Sequence, residues 1–303
     1  MTILLLGRDG QVGWQLQRSL APHGPVVACG RAECDLADPD RVRAVVRQLR
    51  PGIIVNAAAY TAVDRAESEP ELAQRINGTA PGILAEEAAA LGSLLIHYST
   101  DYVFGGEQDE PYRETDAPNP CSVYGRSKLA GEEAIRVAAP RALIFRTSWV
   151  FGARGGNFVK TVLRLARERD ALKIVSDQVG SPTPAALIAT VTGLALAMVR
   201  RGQTLAPGET RLYHLAAARP VSWHEFARTI VELAGRTPGF ALRLGPSAVY
   251  PIPTGDYPTA ARRPKNSRLD CRRLETDFGL QMPDWQPYLE RLLQLLSLKQ
   301  QGY

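Results

Sequence analysis

The N-terminal run Ile3-Leu4-Leu5-Leu6 passes without a break into Gly7-Arg8-Asp9-Gly10-Gln11-Val12-Gly13, and an amphipathic stretch carrying Trp14, Leu16 and Leu20 follows at once. A strand, a G-x-x-G-x-x-G turn and a helix in that order leave few folds open. Glycine lets the backbone turn sharply and approach a pyrophosphate, whose charge meets free N–H groups and the helix dipole. With 26 glycines in 303 residues the spacing alone arises by chance in about one chain in five, so its weight comes from its position between strand and helix. Gly7, Gly10, Gln11, Val12 and Gly13 are candidate cofactor residues on that basis.

The same alternation continues. Apolar runs at Val26–Ala28, Ile53–Asn56, Leu94–Ser99 and Leu143–Thr147 read as strands separated by helical stretches, the pattern of a parallel sheet with crossover helices. Asp38-Pro39 reads as an N-cap with Pro at the first helical position, and Pro51-Gly52 ends that helix. The fold class expected is α/β, a doubly wound parallel sheet of Rossmann type, with a smaller α/β C-terminal substrate lobe. Leu172–Val175 reads as one more strand, Pro184–Arg200 as a long apolar helix that returns to the sheet, and Tyr213–Ala216 as a strand. Ser222-Trp223-His224-Glu225 is a capping box. The Pro-rich stretch Pro246–Arg268 reads as loop, and two short helices close the chain. The division expected is a dinucleotide-binding domain over 1–150 with a returning segment at about 172–205, and a substrate lobe over 151–171 and 206–303.

Charge narrows the partner. The formal charge is +5 and the pI near 9.1, carried mostly by Arg. Because the basic residues are scattered without a run of five or six, they favour a phosphate-bearing small molecule over nucleic acid. Four cysteines without a C-x-x-C pair argue against a disulfide framework or an ordinary zinc site. The apolar runs fall short of a membrane span, and the Met-Thr start lacks a basic n-region, so a cytoplasmic protein is expected.

Further positions carry chemistry. Where a carboxylate would bind the ribose hydroxyl of NAD, the second strand ends in Gly30-Arg31, and an Arg there suits a 2′-phosphate. NADPH is the expected cofactor, with NADH the alternative, and Asp35-Leu36 would edge the adenine. Tyr124 and Lys128, four apart on a helix, share one face. An ammonium beside the phenol is expected to lower its pKa and make it a proton donor. The strand Leu94–Ser99 ends in Thr100, whose hydroxyl would hold a carbonyl for Tyr124 to protonate. His97 and His214, in apolar strands, read as core or hydrogen-bonded residues with no metal triad.

The order glycine turn, strand-end Thr, Tyr and Lys resembles the extended short-chain dehydrogenase/reductase superfamily. More specific stretches, Gly10 to Trp14, Val55 to Asp64, His97 to Phe104, Phe145 to Trp149 and Ala261 to Leu269, resemble the dTDP-4-dehydrorhamnose reductases over nearly the whole chain. That resemblance implies NADPH-dependent reduction of the C4 ketone of a dTDP-linked deoxysugar, giving dTDP-L-rhamnose. By it, Ala59, Tyr60 and Thr61 line the cofactor, Thr100, Asp101 and Trp149 face the substrate, and Arg262 or Arg263 meets its diphosphate. Sugar-nucleotide dehydratases follow the Thr with Asp-Glu, and Tyr102 in place of the Glu favours plain reduction. Some reductases of this family bind magnesium between subunits through glutamates. Gln15 and Ala186 stand at the matching positions and do not suit this cation, so no metal is expected and the protein is read as a monomer or weak homodimer. Two alternatives stay open: a non-catalytic subunit resembling the regulatory subunit of methionine adenosyltransferase, and a reductase or epimerase of another nucleotide sugar.

Overall fold

The computed structural model describes residues 1–300 apart from 139, 203, 204 and 207, and only the backbone of 299 and 300. Residues 301–303 of the expected second lobe lie outside the described residues. Six strands, β1 (Ile3–Leu6), β2 (Val26–Cys29), β3 (Ile53–Asn56), β4 (Leu94–Thr100), β5 (Arg141–Thr147) and β6 (Thr210–His214), form one sheet in the order β6-β5-β4-β3-β1-β2. Every pairing in it is parallel. A parallel sheet covered on both faces leaves no polar side, and β1, β3 and β4 are accordingly buried along their whole length.

One face is covered by Gln11–Leu20 with Ala185–Arg200 packed along it. The other is covered by Pro39–Leu49, Ala80–Leu91 and Val123–Ala138. Asp38 caps the helix Pro39–Leu49 by accepting from the Arg41 amide, with Pro39 at its first position. Successive crossovers run in opposite directions from β1, toward β2 on one side and β3 on the other, and ligands of open α/β sheets sit outside the strand ends at such a reversal. The Gly7–Gly13 turn, the Ala57–Thr61 loop and Thr100 all lie at those ends.

The second half departs from the expected division in three places. Thr210–His214, assigned above to the second lobe, is the sixth strand of the main sheet, beside β5. Of the segment expected to return to that sheet only the helix Ala185–Arg200 does so, because Leu172–Val175 pairs instead with Val249–Ile252 in a sheet of two. The stretch Pro246–Arg268, expected to be loop, contains that strand and Asn266–Ser267, which pairs with Val179–Gly180. Pro251 within the first of these masks its strand character, and a strand in a two-stranded sheet has a free edge where a missing N–H costs nothing. The capping box at Ser222 forms as read, with both reciprocal bonds. No helix among the described residues is long and apolar enough to cross a membrane.

Candidate active site

The glycine turn is held in place by contact. Gly7 sits at φ +84°, and a Cβ on it would lie 2.6 Å from the Ala58 nitrogen; a Cβ on Gly13 would lie 2.0 Å from the Gly7 carbonyl oxygen. The turn is therefore pressed against both the β3 loop and its own helix, and no side chain caps the helix Gln11–Leu20 at Gly10. Its first-turn amides are left for an anion. Gly13→Ala is expected to cost about 1–3 kcal/mol of stability through overpacking; a urea melt with an unchanged midpoint would refute the close contact.

A cavity of about 470 Å³ opens over this turn. Gly7, Gly10, Gln11, Val12, Arg31, Asp35, Leu36, Ala59, Thr61, Tyr124 and Lys128 all line it. Gly13 lies beneath the turn. Tyr60 does not line the cavity: its hydroxyl donates to Glu69 at 2.6 Å, and its backbone is held from both sides by the Asn77 amide. Glu69 thus draws the Tyr60 ring away from the cavity that its neighbours Ala59 and Thr61 line. Arg31 is exposed, with no hydrogen bond or ion pair among the described residues, whereas neighbouring Arg8 is tied to Glu33 at 2.7 Å and to the Ala28 carbonyl. The Asp35 carboxylate is turned to the Ala37 amide.

Tyr124 and Lys128 lie on the helix Val123–Ala138, whose start is fixed by Glu67 accepting from the Val123 amide. Asn77, in a π-turn over Arg75–Thr79, donates to Ser127 and so ties this helix to the β3 loop. The phenol meets the Thr100 hydroxyl and packs edge-on against Tyr102 at 5.5 Å. Burial pushes the phenol up to about 12, with the Thr100 contact opposing. That reverses the expected lowering. Lys128 gives its nitrogen to the Tyr98 carbonyl at 2.7 Å and stands 3.2 Å from His97, and burial pulls it down to about 8.

Thr100 and Asp101 are buried beside Tyr124. Thr100 donates to Asp101 Oδ1, and burial pushes the carboxyl up to about 6 against the opposing contacts of Ser267 and Thr100. Trp149 follows β5 at φ +46°, with its indole stacked on Trp223 at 3.5 Å. A second cavity, of about 910 Å³, is lined by Glu107, Tyr257, Arg262, Arg263, Lys265 and Arg268 among others. Arg262 is exposed and reaches Glu107 at 3.3 Å; Arg263 is held by Asp64 at 2.7 Å, with its Nη1 buried and unpartnered. Arg263 is thus the more ordered of the two candidates for a diphosphate.

Several residues of this region escaped the sequence. Ser99 and Thr147 line the first cavity with buried, unpartnered hydroxyls, and Gly155 and Gly156 close its rim. Single hydroxyls at strand ends carry no pattern, but the basic run Arg262-Arg263-Pro264-Lys265 was a signal for Lys265.

A family model described as the RmlD substrate binding domain matches residues 1–298. The chain is 48% identical over 301 residues to a dTDP-4-dehydrorhamnose reductase of Escherichia coli (97% of each chain) and 48% identical over 285 residues to that of Burkholderia thailandensis (94% of this chain, 95% of the relative). Among solved structures, a dTDP-4-dehydrorhamnose reductase of Bacillus anthracis in complex with NADP superposes with a TM-score of 0.84 at 35% identity, covering 96% of this chain and 98% of that one.

Proposed function

The chain belongs to the dTDP-4-dehydrorhamnose reductase family, and from that premise we propose how its residues carry out the NAD(P)H-dependent reduction of dTDP-4-dehydro-L-rhamnose to dTDP-L-rhamnose. One observation carries the reading: Tyr124 and Lys128 line the same cavity as the glycine turn, with Thr100 against the phenol. The dinucleotide fits the residues present, because Gly7 and Gly13 leave no room for a side chain where the turn closes on the sheet and the unpartnered Ser99 and Thr147 hydroxyls face the same space.

When bound there, the dihydronicotinamide supplies the hydride. Gly7, Gly10, Gln11 and Val12 hold the pyrophosphate through the uncapped helix start, Asp35 and Leu36 border the adenine, and Ala59 and Thr61 form the wall. Thr100 orients the sugar carbonyl and Tyr124 donates the proton to its oxygen. Lys128 holds the nicotinamide ribose. Asp101 and Trp149 face the sugar, and Arg262 or Arg263 meets the diphosphate. The raised phenol suits this direction, since a group at about 12 keeps its proton until the carbonyl oxygen takes it. In the two-lobe division, the six-stranded sheet binds the cofactor and the smaller lobe the nucleotide sugar. We read the protein as cytoplasmic and as a monomer or weak homodimer.

Purified protein is expected to oxidise NADPH in the presence of dTDP-4-dehydro-L-rhamnose and to leave UDP-4-keto sugars largely untouched; no oxidation with the first substrate would overturn the reading. NADPH is the preferred cofactor because Arg31 is free at the adenosine end. Arg31→Ala is expected to lower kcat/KM with NADPH by about 10- to 100-fold, the loss of charge-assisted bonds to one phosphate, and to spare NADH. An equal effect on both would reject Arg31 as the 2′-phosphate ligand.

A further inference from the structure

Behind Lys128, on the side away from the cavity, two polar residues are buried to 1% exposure each: Asn56 at the end of β3 and His97 in β4, paired in register. Asn56 Nδ2 lies 3.2 Å from His97 Nδ1, and His97 Nε2 lies 3.2 Å from Lys128 Nζ. Asn56 Oδ1 accepts from the Ala58 amide at 3.2 Å, which fixes the orientation of the carboxamide, because a flip would set its NH2 against that N–H. The Asn56 NH2 must therefore donate to His97 Nδ1. A neutral imidazole that accepts at Nδ1 carries its hydrogen on Nε2, and that hydrogen points at the lysine nitrogen. Facing an ammonium it makes a donor–donor contact. Facing an amine it finds a lone pair, and Lys128 still donates to the Tyr98 carbonyl.

We propose that Asn56 and His97 are positioning residues that tune Lys128: the Asn56 carboxamide sets the His97 tautomer, and the resulting Nε2–H makes the amine form of Lys128 the one in which every buried hydrogen bond of the chain Ala58–Asn56–His97–Lys128–Tyr98 is satisfied. The surroundings agree. Burial and the lysine charge hold His97 neutral, far below its usual range, so an imidazolium does not relieve the conflict. Burial pulls Lys128 down to about 8 with only Glu132 opposing, and Glu132 is itself neutralised by a two-bond pair with Arg146 of β5. The titratable side chains of Tyr124, on the same helix, and Tyr98 of β4, whose carbonyl takes the lysine hydrogen, share the cavity with Lys128. On the reductase reading, which this inference deepens, the Lys128 charge falls away as the pH rises through about 8, and turnover falls with it.

The test begins with a quantity independent of turnover. In 15N-histidine-labelled protein, long-range 1H–15N correlation spectra read the tautomer of each of the four histidines, and His97→Gln identifies the signal of interest. His97 is expected as the neutral Nε2–H tautomer; an Nδ1–H tautomer or an imidazolium near neutral pH overturns the proposal. Asn56→Asp then supplies acceptors to both the Ala58 amide and His97 Nδ1. It is expected to flip the tautomer, let Nε2 accept from the ammonium, and move the alkaline limb of the kcat profile up by about one pH unit or more. A flipped tautomer with an unmoved limb overturns the tuning of Lys128. An Nε2–H His97 in a protein without NADPH turnover supports the hydrogen-bond chain while rejecting the reductase reading, so the two failures are distinct.

Discussion

Tyr124→Phe is expected to lower kcat for NADPH-dependent reduction by roughly 10²–10⁴-fold, the usual span for removing a positioned general acid. The substitution deletes one oxygen. The ring keeps its edge-on contact with Tyr102 at 5.5 Å, and the helix Val123–Ala138 keeps its anchors at Glu67 and Asn77. NADPH binding, followed by quenching of protein fluorescence, should therefore change little. The split between lost turnover and retained binding is the diagnostic result. If the Phe variant keeps more than about a tenth of the rate, another group or water donates the proton and the role given to Tyr124 is wrong. Because the phenol stands near 12 rather than below its ordinary value, the acid should remain protonated across the neutral range. Any fall in activity between neutral and mildly alkaline pH then belongs to Lys128 and not to Tyr124.

Glu132→Gln is expected to remove about 3–5 kcal/mol of folding stability. Glu132 and Arg146 are fully buried, at 0% and 1% side-chain exposure, and joined by two bonds of 2.8 and 2.6 Å. Their mutual attraction is largely offset by the cost of taking both charges out of water, so the pair is worth little against an apolar replacement. Breaking one side is another matter, because it leaves a charged guanidinium in the core with a neutral amide oxygen and the Phe104 face, 4.9 Å away, in place of a carboxylate. Urea unfolding should show the full loss for Glu132→Gln, and Glu132→Leu combined with Arg146→Met should recover most of it. A single variant that unfolds within about 1 kcal/mol of the parent would mean that water reaches the pair. Since Glu132 lies one turn beyond Lys128, the single variant should also loosen the helix Val123–Ala138 and raise KM for NADPH.

The parts of the fold that can be read in the sequence are those where burial writes a continuous pattern. β1, β3 and β4 are buried end to end, and their limits follow from their apolar letters almost residue by residue. β6 is an edge strand that opens with the half-exposed Thr210 and Arg211, so its apolar signal begins late and pointed to Tyr213–Ala216 instead. Val249–Ile252 carries a proline and two exposed positions, and nothing in its letters separates it from a loop. The site divides in the same way. The glycine turn, Thr100, Tyr124 and Lys128 announce themselves through spacing and order. The direction of Tyr60 is decided by Glu69, nine residues later, and the phenol pKa by how deeply the hydroxyl is buried, neither of which a motif records. His97 reads from sequence as a buried hydrogen-bonded residue, yet its partners Asn56 and Lys128 come from two other elements, and only their meeting gives it a task.

The placement of β6 has a consequence for how the molecule can be divided. The chain leaves the main sheet after Thr147, returns with Ala185–Arg200 and β6, and leaves again beyond His214. Three passages rather than one link the halves, so no single backbone cut releases a complete cofactor-binding unit: a fragment ending near residue 150 lacks both the edge strand beside β5 and the helix that covers Leu16 and Leu20. Such a fragment is expected to be insoluble when produced alone. The six-stranded sheet and the segments outside it are interleaved along the chain, joined by three connections in parallel and not by one hinge.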